Sequence, residues 1–170
     1  MRMDKLTSRF QQALASTPDY PDALNNLGYA LLLSGREAEA RPLYEKALAL
    51  QPDFPEALNN LGLLVGRAGD LTRAETYFRD ALTRRPAYGE AANNLALVLV
   101  NTGKAAEAVT VLEDLLTRAP AHEPAYVTLA KIHLQAGRTA EGVRALERLL
   151  HRNPAHAEAL ALLKAFGPNR

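Results

Sequence analysis

Large and small apolar residues recur along the chain with a constant period of 34 residues, which is the separation of Pro21 and Pro55. Counted from Pro21, positions 7 and 28 of each repeat are leucine, and positions 8 and 20 hold only glycine or alanine. Small residues at those positions let two helices approach closely, and a large residue at position 24 fills the space between them. The pattern therefore predicts a helix A over about positions 2–14 and a helix B over about positions 18–30 of each repeat. The residues at position 24 are Tyr44, Phe78, Leu112 and Leu146.

Glycine and proline divide each repeat at fixed places. Glycine at position 15 supplies the left-handed conformation that ends helix A, and proline at position 32 prevents helix B from continuing. Pro21 and Pro55 fit the first turn of helix A, where a missing N–H costs nothing. The two series are Gly35, Gly69, Gly103 and Gly137, and Pro18, Pro52, Pro86, Pro120 and Pro154.

The composition indicates an all-α protein. Among 170 residues there are 31 Ala and 30 Leu but only seven Val and one Ile, so helix formers far outnumber the residues that sheets favour. The chain has no Cys, and its charged N-terminus lacks the apolar stretch of a secretory signal, so we expect a cytoplasmic protein. A net charge of +1 gives no general attraction to nucleic acid or membranes. The longest uncharged runs, such as 23–35 and 91–103, are too short to span a bilayer.

The repeat resembles the tetratricopeptide repeat family. The resemblance is carried by Leu-Gly or Leu-Ala at 27–28, 61–62, 95–96 and 129–130, by the glycine and proline series, and by the spacing of Ala40/Tyr44 and Ala74/Phe78. It implies a right-handed superhelical solenoid of helix-turn-helix repeats. The expected segments are a half repeat with only helix B (1–20), repeats 21–54, 55–88, 89–122 and 123–156, and a C-terminal capping helix and tail (157–170).

The resemblance places a partner-binding groove along the A helices, whose positions 2, 5, 6, 9, 12 and 13 line the concave face. Its most distinctive residues are paired asparagines, which are poor mid-helix residues but carry both donors and an acceptor for an extended peptide. The N-N-L-G run resembles the asparagine ladders of O-linked N-acetylglucosamine transferases. Alternatively, the second asparagine bonds to the adjacent helix. The expected groove residues are Asp22, Asn25, Asn26, Tyr29, Glu56, Asn59, Asn60, Leu63, Arg67, Glu90, Asn93, Asn94, Leu97, Asn101 and Lys131.

Tyr29, Leu63, Leu97, Leu32 and Val100 are candidate apolar anchors, unless they pack between repeats. The acidic residues at position 2 either favour a basic partner or only complement the helix dipole. Only two groove residues are basic, so we do not expect binding of a chaperone's acidic C-terminal tail. The best-supported function is a non-enzymatic protein–protein interaction scaffold that binds a partner peptide or segment.

Two other functions remain open. The last helix, predicted over residues 155–166, is rich in leucine, so the chain could be an oligomerisation module that forms a homodimer through apolar ends. An RNA-binding helical-repeat protein is the other alternative, although the invariant asparagines do not resemble a base-reading code. No histidine has another histidine at i, i+4, and no phosphate-binding or nucleophile motif occurs. We therefore expect no catalytic residue, no metal site and no cofactor.

Overall fold

The regular structure is entirely helical in the part of the chain that the structure describes. This structure is a computed structural model, and it describes the backbone of residues 2–167 and the side chains of residues 7–167. These residues form ten helices. They are α1 (Arg2–Ser16), α2 (Pro21–Leu33), α3 (Glu37–Leu50), α4 (Pro55–Arg67), α5 (Leu71–Arg84), α6 (Gly89–Asn101), α7 (Ala105–Arg118), α8 (Glu123–Gln135), α9 (Thr139–Arg152) and α10 (Ala157–Phe166). The predicted all-α helical-repeat fold is thus confirmed.

The A helices α2, α4, α6 and α8 end as the glycine series predicts. The four position-15 glycines all have positive φ, between 71° and 89°. After α2, the N–H of Gly35 bonds to the carbonyl of Leu32, and the N–H of Arg36 bonds to the carbonyl of Leu31, at 3.2 and 2.9 Å. This pair of bonds satisfies carbonyls that the end of a helix leaves without partners, and it turns the chain into α3.

Small residues at position 8 allow the close approach of helices A and B. Tyr44 on α3 is fully buried with its ring against Gly28 on α2, where an added Cβ atom would lie only 2.7 Å from a ring carbon. The same contact recurs between Phe78 and Gly62, at 2.6 Å. Glycine at these positions therefore fixes how closely each helix pair packs.

The last helix begins two residues later than the sequence predicts. His156 lies just before α10, and its Nδ1 atom accepts a hydrogen bond of 3.2 Å from the backbone N–H of Ala159. A side-chain acceptor at this position satisfies one of the free N–H groups of the first turn, which sets the start of the helix.

The helices form two compact units, residues 1–85 and 86–170. In the first unit, Cα atoms of the A helices α2 and α4 come within 8 Å of each other. The B helices α3 and α5 do not approach as closely anywhere in their described lengths. The second unit repeats this arrangement, with α6 close to α8 and α8 close to α10. In each unit, the A helices therefore line the inner side of the stack.

Candidate functional site

Each A helix carries a stripe of residues at positions 2, 6, 9 and 13, which share one helical face because they are spaced i, i+4, i+7 and i+11. We call the stripes of α2 and α4 the unit 1 face and those of α6 and α8 the unit 2 face. The unit 1 face consists of Asp22, Asn26, Tyr29, Leu33, Glu56, Asn60, Leu63 and Arg67. The unit 2 face consists of Glu90, Asn94, Leu97, Asn101, Pro124, Thr128, Lys131 and Gln135.

The second half of α2 presents two open apolar side chains on the unit 1 face. Tyr29 is 44% exposed and Leu33 is 52% exposed, and Asn26 is also exposed beside them. Leu63 on α4 is half-buried. Leu32, a candidate anchor, is 1% exposed and lies in the core, so it is not available on this face. A partner would therefore meet a surface dominated by two exposed apolar side chains.

The asparagines at positions 5 and 6 of α2 and α4 divide between the core and the surface. Asn25 and Asn60 are both buried, and the Nδ2 atom of Asn60 donates a 2.9 Å hydrogen bond to the Oδ1 atom of Asn25. Asn59 is buried as well. The bond leaves the Nδ2 group of Asn25 and the Oδ1 atom of Asn60 without a described protein partner, and neither atom is sealed from solvent. One donor and one acceptor thus remain beside Tyr29.

The second unit has the equivalent hydrogen bond, with a threonine as the donor in place of an asparagine. The hydroxyl of Thr128 on α8 donates a 2.7 Å hydrogen bond to the Oδ1 atom of Asn93 on α6. Asn93 and Asn94 are half-buried, whereas Leu97 is 48% exposed and Asn101 is exposed. In both units, position 5 of one A helix therefore bonds to position 6 of the next A helix in that unit.

Ion pairs neutralise most charges near the unit 1 face. Arg67 donates a 3.2 Å hydrogen bond to the carbonyl of Leu32 and lies 3.6 Å from Glu37. Glu56 pairs with Arg85 at 2.6 Å. Asp22 is exposed and has no partner among the described groups. The expected acidic rim is therefore reduced in this unit to one unpaired carboxylate.

On the unit 2 face, Lys131 pairs with Glu158 of α10 at 2.6 Å, and Glu90 is exposed. Since Arg67 and Lys131 are both engaged by carboxylates, each face offers little to an acidic ligand.

A buried hydroxyl lies beneath the unit 1 face. Tyr44 is fully buried, and its hydroxyl has no hydrogen-bond partner among the described groups. Burial, with a smaller contribution from nearby Tyr29, raises the pKa of Tyr44 well above its ordinary value. The hydroxyl therefore stays protonated and does not supply a charge to the face.

Twelve of the fifteen predicted groove residues lie on these two faces, and Asn25, Asn59 and Asn93 at position 5 do not; Leu33 lies on the unit 1 face although it is not among the fifteen. The sequence pattern could have predicted Leu33 as a groove residue, because it occupies position 13 of its repeat, as Arg67 and Asn101 do. Within residues 7–167, no three histidine, aspartate or glutamate side chains lie close enough together to hold a metal ion. No helix in the described chain is both long and apolar enough to cross a membrane.

Solved structures with the same fold come from several proteins. A thermophilic tetratricopeptide repeat protein of Thermus thermophilus is similar with a TM-score of 0.80 at 22% identity, over 96% of this chain and 90% of that one. PilW, a type IV pilus biogenesis factor, is similar with a TM-score of 0.79 at 25% identity, over 94% and 74% of the two chains. YrrB, a tetratricopeptide repeat protein with an unusual peptide-binding site, is similar with a TM-score of 0.70 at 19% identity, over 96% and 84%.

Family models show which repeat this is. No curated protein matches the chain. Three models, each described as tetratricopeptide repeat, match residues 19–87, 59–123 and 102–165. These matches overlap, together span residues 19–165 and include all the residues of both faces, so the chain belongs to the tetratricopeptide repeat family.

Proposed function

We propose that the protein is a non-enzymatic interaction scaffold in which each of the two faces, taken by itself, binds an extended segment of a partner protein. The observation that carries this proposal is the bonded pair Asn25–Asn60 beside the exposed side chains of Tyr29 and Leu33. An extended peptide presents carbonyl and N–H groups on its edges. The free Nδ2 group of Asn25 and the free Oδ1 atom of Asn60 match those two kinds of group.

The bond between the asparagines prepares them for such a ligand. Because the bond fixes both amides, little side-chain freedom is lost when a peptide pairs with them. Each hydrogen bond to the peptide would contribute about 0.5–1.5 kcal/mol. This value does not depend on the peptide's side chains, so the amides supply affinity and the apolar residues supply selectivity.

Apolar contacts would provide the larger share of the affinity. Fully burying a large apolar side chain contributes about 1.5–3 kcal/mol. Tyr29 and Leu33 are about half exposed, so covering both contributes about 2 kcal/mol in total. On the unit 2 face, Leu97 offers a similar exposed surface. The preferred partner segment therefore carries apolar side chains.

The charges favour a neutral or basic segment. Arg67 and Glu56 are already paired, which leaves Asp22 as the unpaired charge of the described unit 1 face. An acidic peptide would be repelled by this carboxylate and would find no free cation there. YrrB supports the idea that the fold can hold a peptide, because that protein has a peptide-binding site.

Short random peptides displayed on phage provide a test that needs no known partner. Peptides selected on the 170-residue protein are synthesised with a fluorescent label, and their binding is measured by anisotropy. We expect apolar peptides without acidic residues. We also expect at least about tenfold weaker binding to a Tyr29→Glu, Leu33→Glu double variant.

Leu50→Glu is the matched control, because Leu50 is 42% exposed but lies at the end of the B helix α3. It should bind the selected peptides as the parent protein does. If the double variant binds them equally well, or if the selection yields no specific peptide, the unit 1 face is not a peptide site.

A further inference from the structure

A small apolar cluster shows how one repeat joins the next. Phe54 stands at position 34, just before α4, and is 5% exposed. It belongs to one buried cluster with Leu24 of the preceding A helix, Ala47 of the B helix α3, and Ala57. Four side chains therefore form this junction between repeats, and one of them is the leucine at position 4 of the preceding A helix.

At the N-terminal end, the same junction lacks that leucine. Tyr20 stands one repeat before Phe54 and is 47% exposed, although its counterpart is buried. Ala13 stands one repeat before Ala47 and is also exposed, whereas Ala47 is completely buried. An aromatic ring and an alanine are thus left open where the repeats bury them.

The C-terminal helix α10 carries the leucine that the N-terminal junction lacks, and this leucine is exposed. Leu160 on α10 is the counterpart of Leu24, at position 4 of its A helix. Leu160 is 47% exposed, whereas Leu24 is 3% exposed. Phe166 is 49% exposed and lines an open cleft of about 490 Å³ with Val143 and Arg144. The surface that a B helix covers elsewhere is therefore open on α10.

We propose that copies of this protein associate head to tail, with α1 and Tyr20 of one copy packing on α10 of another. The occupant is a second copy because the two open surfaces are the two halves of one junction. Tyr20 and Ala13 would meet Leu160 as Phe54 and Ala47 meet Leu24 within the chain. Helices A and B run antiparallel across a short turn, so α1 of the second copy would run alongside α10 in the opposite direction.

The contact is looser than a junction within the chain. Lys164 on α10 occupies position 8, which holds Gly28 and Gly62 in the first two repeats. The close packing at Gly28 leaves no room even for a methyl group, so a lysine there keeps α1 of the second copy farther away. Association therefore rests mainly on Tyr20 and Leu160. Shortening the side chain with Lys164→Ala should strengthen it.

The geometry also predicts how assemblies grow. The two surfaces in contact are different, so each added copy leaves one open surface at either end. The average mass should therefore rise continuously with protein concentration and should not stop at a dimer. This behaviour separates the proposal from a symmetric dimer in which α10 pairs with itself.

Complementary end-blocked variants test the proposal in sedimentation velocity experiments on the 170-residue protein. Tyr20→Glu blocks one surface and Leu160→Glu blocks the other, so each variant alone should stay monomeric. In an equimolar mixture, each Leu160→Glu copy should bind one Tyr20→Glu copy and give a dimer that grows no further. Recovery of association in the mixture also shows that both variants are folded.

Leu50→Glu serves as the control, because it adds the same charge at a leucine of similar exposure on α3, which belongs to neither of the two surfaces. It should associate as the parent protein does. A parent protein that remains monomeric at about 1 mM would overturn the proposal. So would a Tyr20→Glu variant that still associates alone, because α10 would then be pairing with itself. A mixture that fails to form dimers while circular dichroism shows both variants folded would also overturn it.

Discussion

Replacing Tyr44 with phenylalanine should make the protein more stable. Tyr44 fills the space between α2 and α3, where its ring packs against Gly28 and its hydroxyl has no partner among the described groups. Burial of that hydroxyl also raises the pKa of Tyr44, because the low-dielectric interior disfavours the phenolate. The chain itself provides the comparison, since Phe78 fills the equivalent space against Gly62 without a hydroxyl.

The magnitude follows from the cost of burying a polar group without a partner. An unsatisfied buried hydroxyl costs about 1–3 kcal/mol. The Tyr44→Phe substitution keeps the ring and its contacts, so it removes this cost without creating a cavity. We expect the free energy of unfolding to rise by about 1 kcal/mol, the low end of that range. For a chain of this length, the melting temperature should rise by roughly 2–4 °C.

Urea denaturation followed by circular dichroism measures the change, and Tyr126→Phe is a control of opposite sign. The hydroxyl of Tyr126 donates a 3.1 Å hydrogen bond to the carbonyl of Pro120. Its loss should lower the free energy of unfolding by about 0.5–1.5 kcal/mol. If Tyr44→Phe lowers stability as the control does, the hydroxyl has a partner and the argument is wrong.

Three further substitutions test other parts of the structure. Gly66→Ala should raise the free energy of unfolding, measured by urea denaturation, by up to about 1 kcal/mol, because alanine favours the helix. The added Cβ atom would lie 3.4 Å from the nearest side chain, which is an ordinary contact distance. A loss of stability would mean that the added methyl group does not fit. Burial, and secondarily Arg138, lower the pKa of His133 below 6.5, so stability should be full above pH 6.5 and fall as the pH drops toward the folded-state pKa. His133→Leu should flatten this dependence in melts at several pH values, and an unchanged slope would assign it to other groups. Asn60→Ala should lower the free energy of unfolding, measured by urea denaturation, by about 1–3 kcal/mol, because it leaves the buried Oδ1 atom of Asn25 without a donor. An unchanged free energy of unfolding would show that the bond does not stabilise the protein.

The fold could be predicted because each repeat contains the glycine and proline residues that begin and end its helices. Gly35 and its counterparts need a positive φ that other residues resist, so glycine there marks the end of helix A. Proline at N1, as in Pro21 and Pro55, marks its beginning. These constraints act within a few residues of chain. They therefore place the ends of these helices to within about one residue without any knowledge of the neighbouring repeats.

The roles of the asparagines could not be predicted in the same way. Positions 5 and 6 follow one another in the chain and lie about 100° apart around the helix axis, so the sequence alone does not decide which of the two is buried. Whether each is exposed depends on the next A helix along the chain, which supplies Asn60 to Asn25 and Thr128 to Asn93. The recurrence of an amide or hydroxyl at that offset was a usable signal. A single repeat does not contain it.

The two proposed surfaces share no residue, and this separation can be tested directly. Peptide binding is assigned to Tyr29 and Leu33 on α2, whereas association is assigned to Tyr20 and Leu160. A Leu160→Glu monomer should therefore bind the selected peptides with unchanged affinity per chain, and a Tyr29→Glu, Leu33→Glu variant should still assemble. An assembly that displays many equal faces would bind a partner carrying two such segments more tightly than a monomer does, because the second contact becomes intramolecular. If blocking the ends also weakens binding of a single labelled peptide by tenfold, the surfaces are coupled, and a scaffold with independent faces is the wrong description.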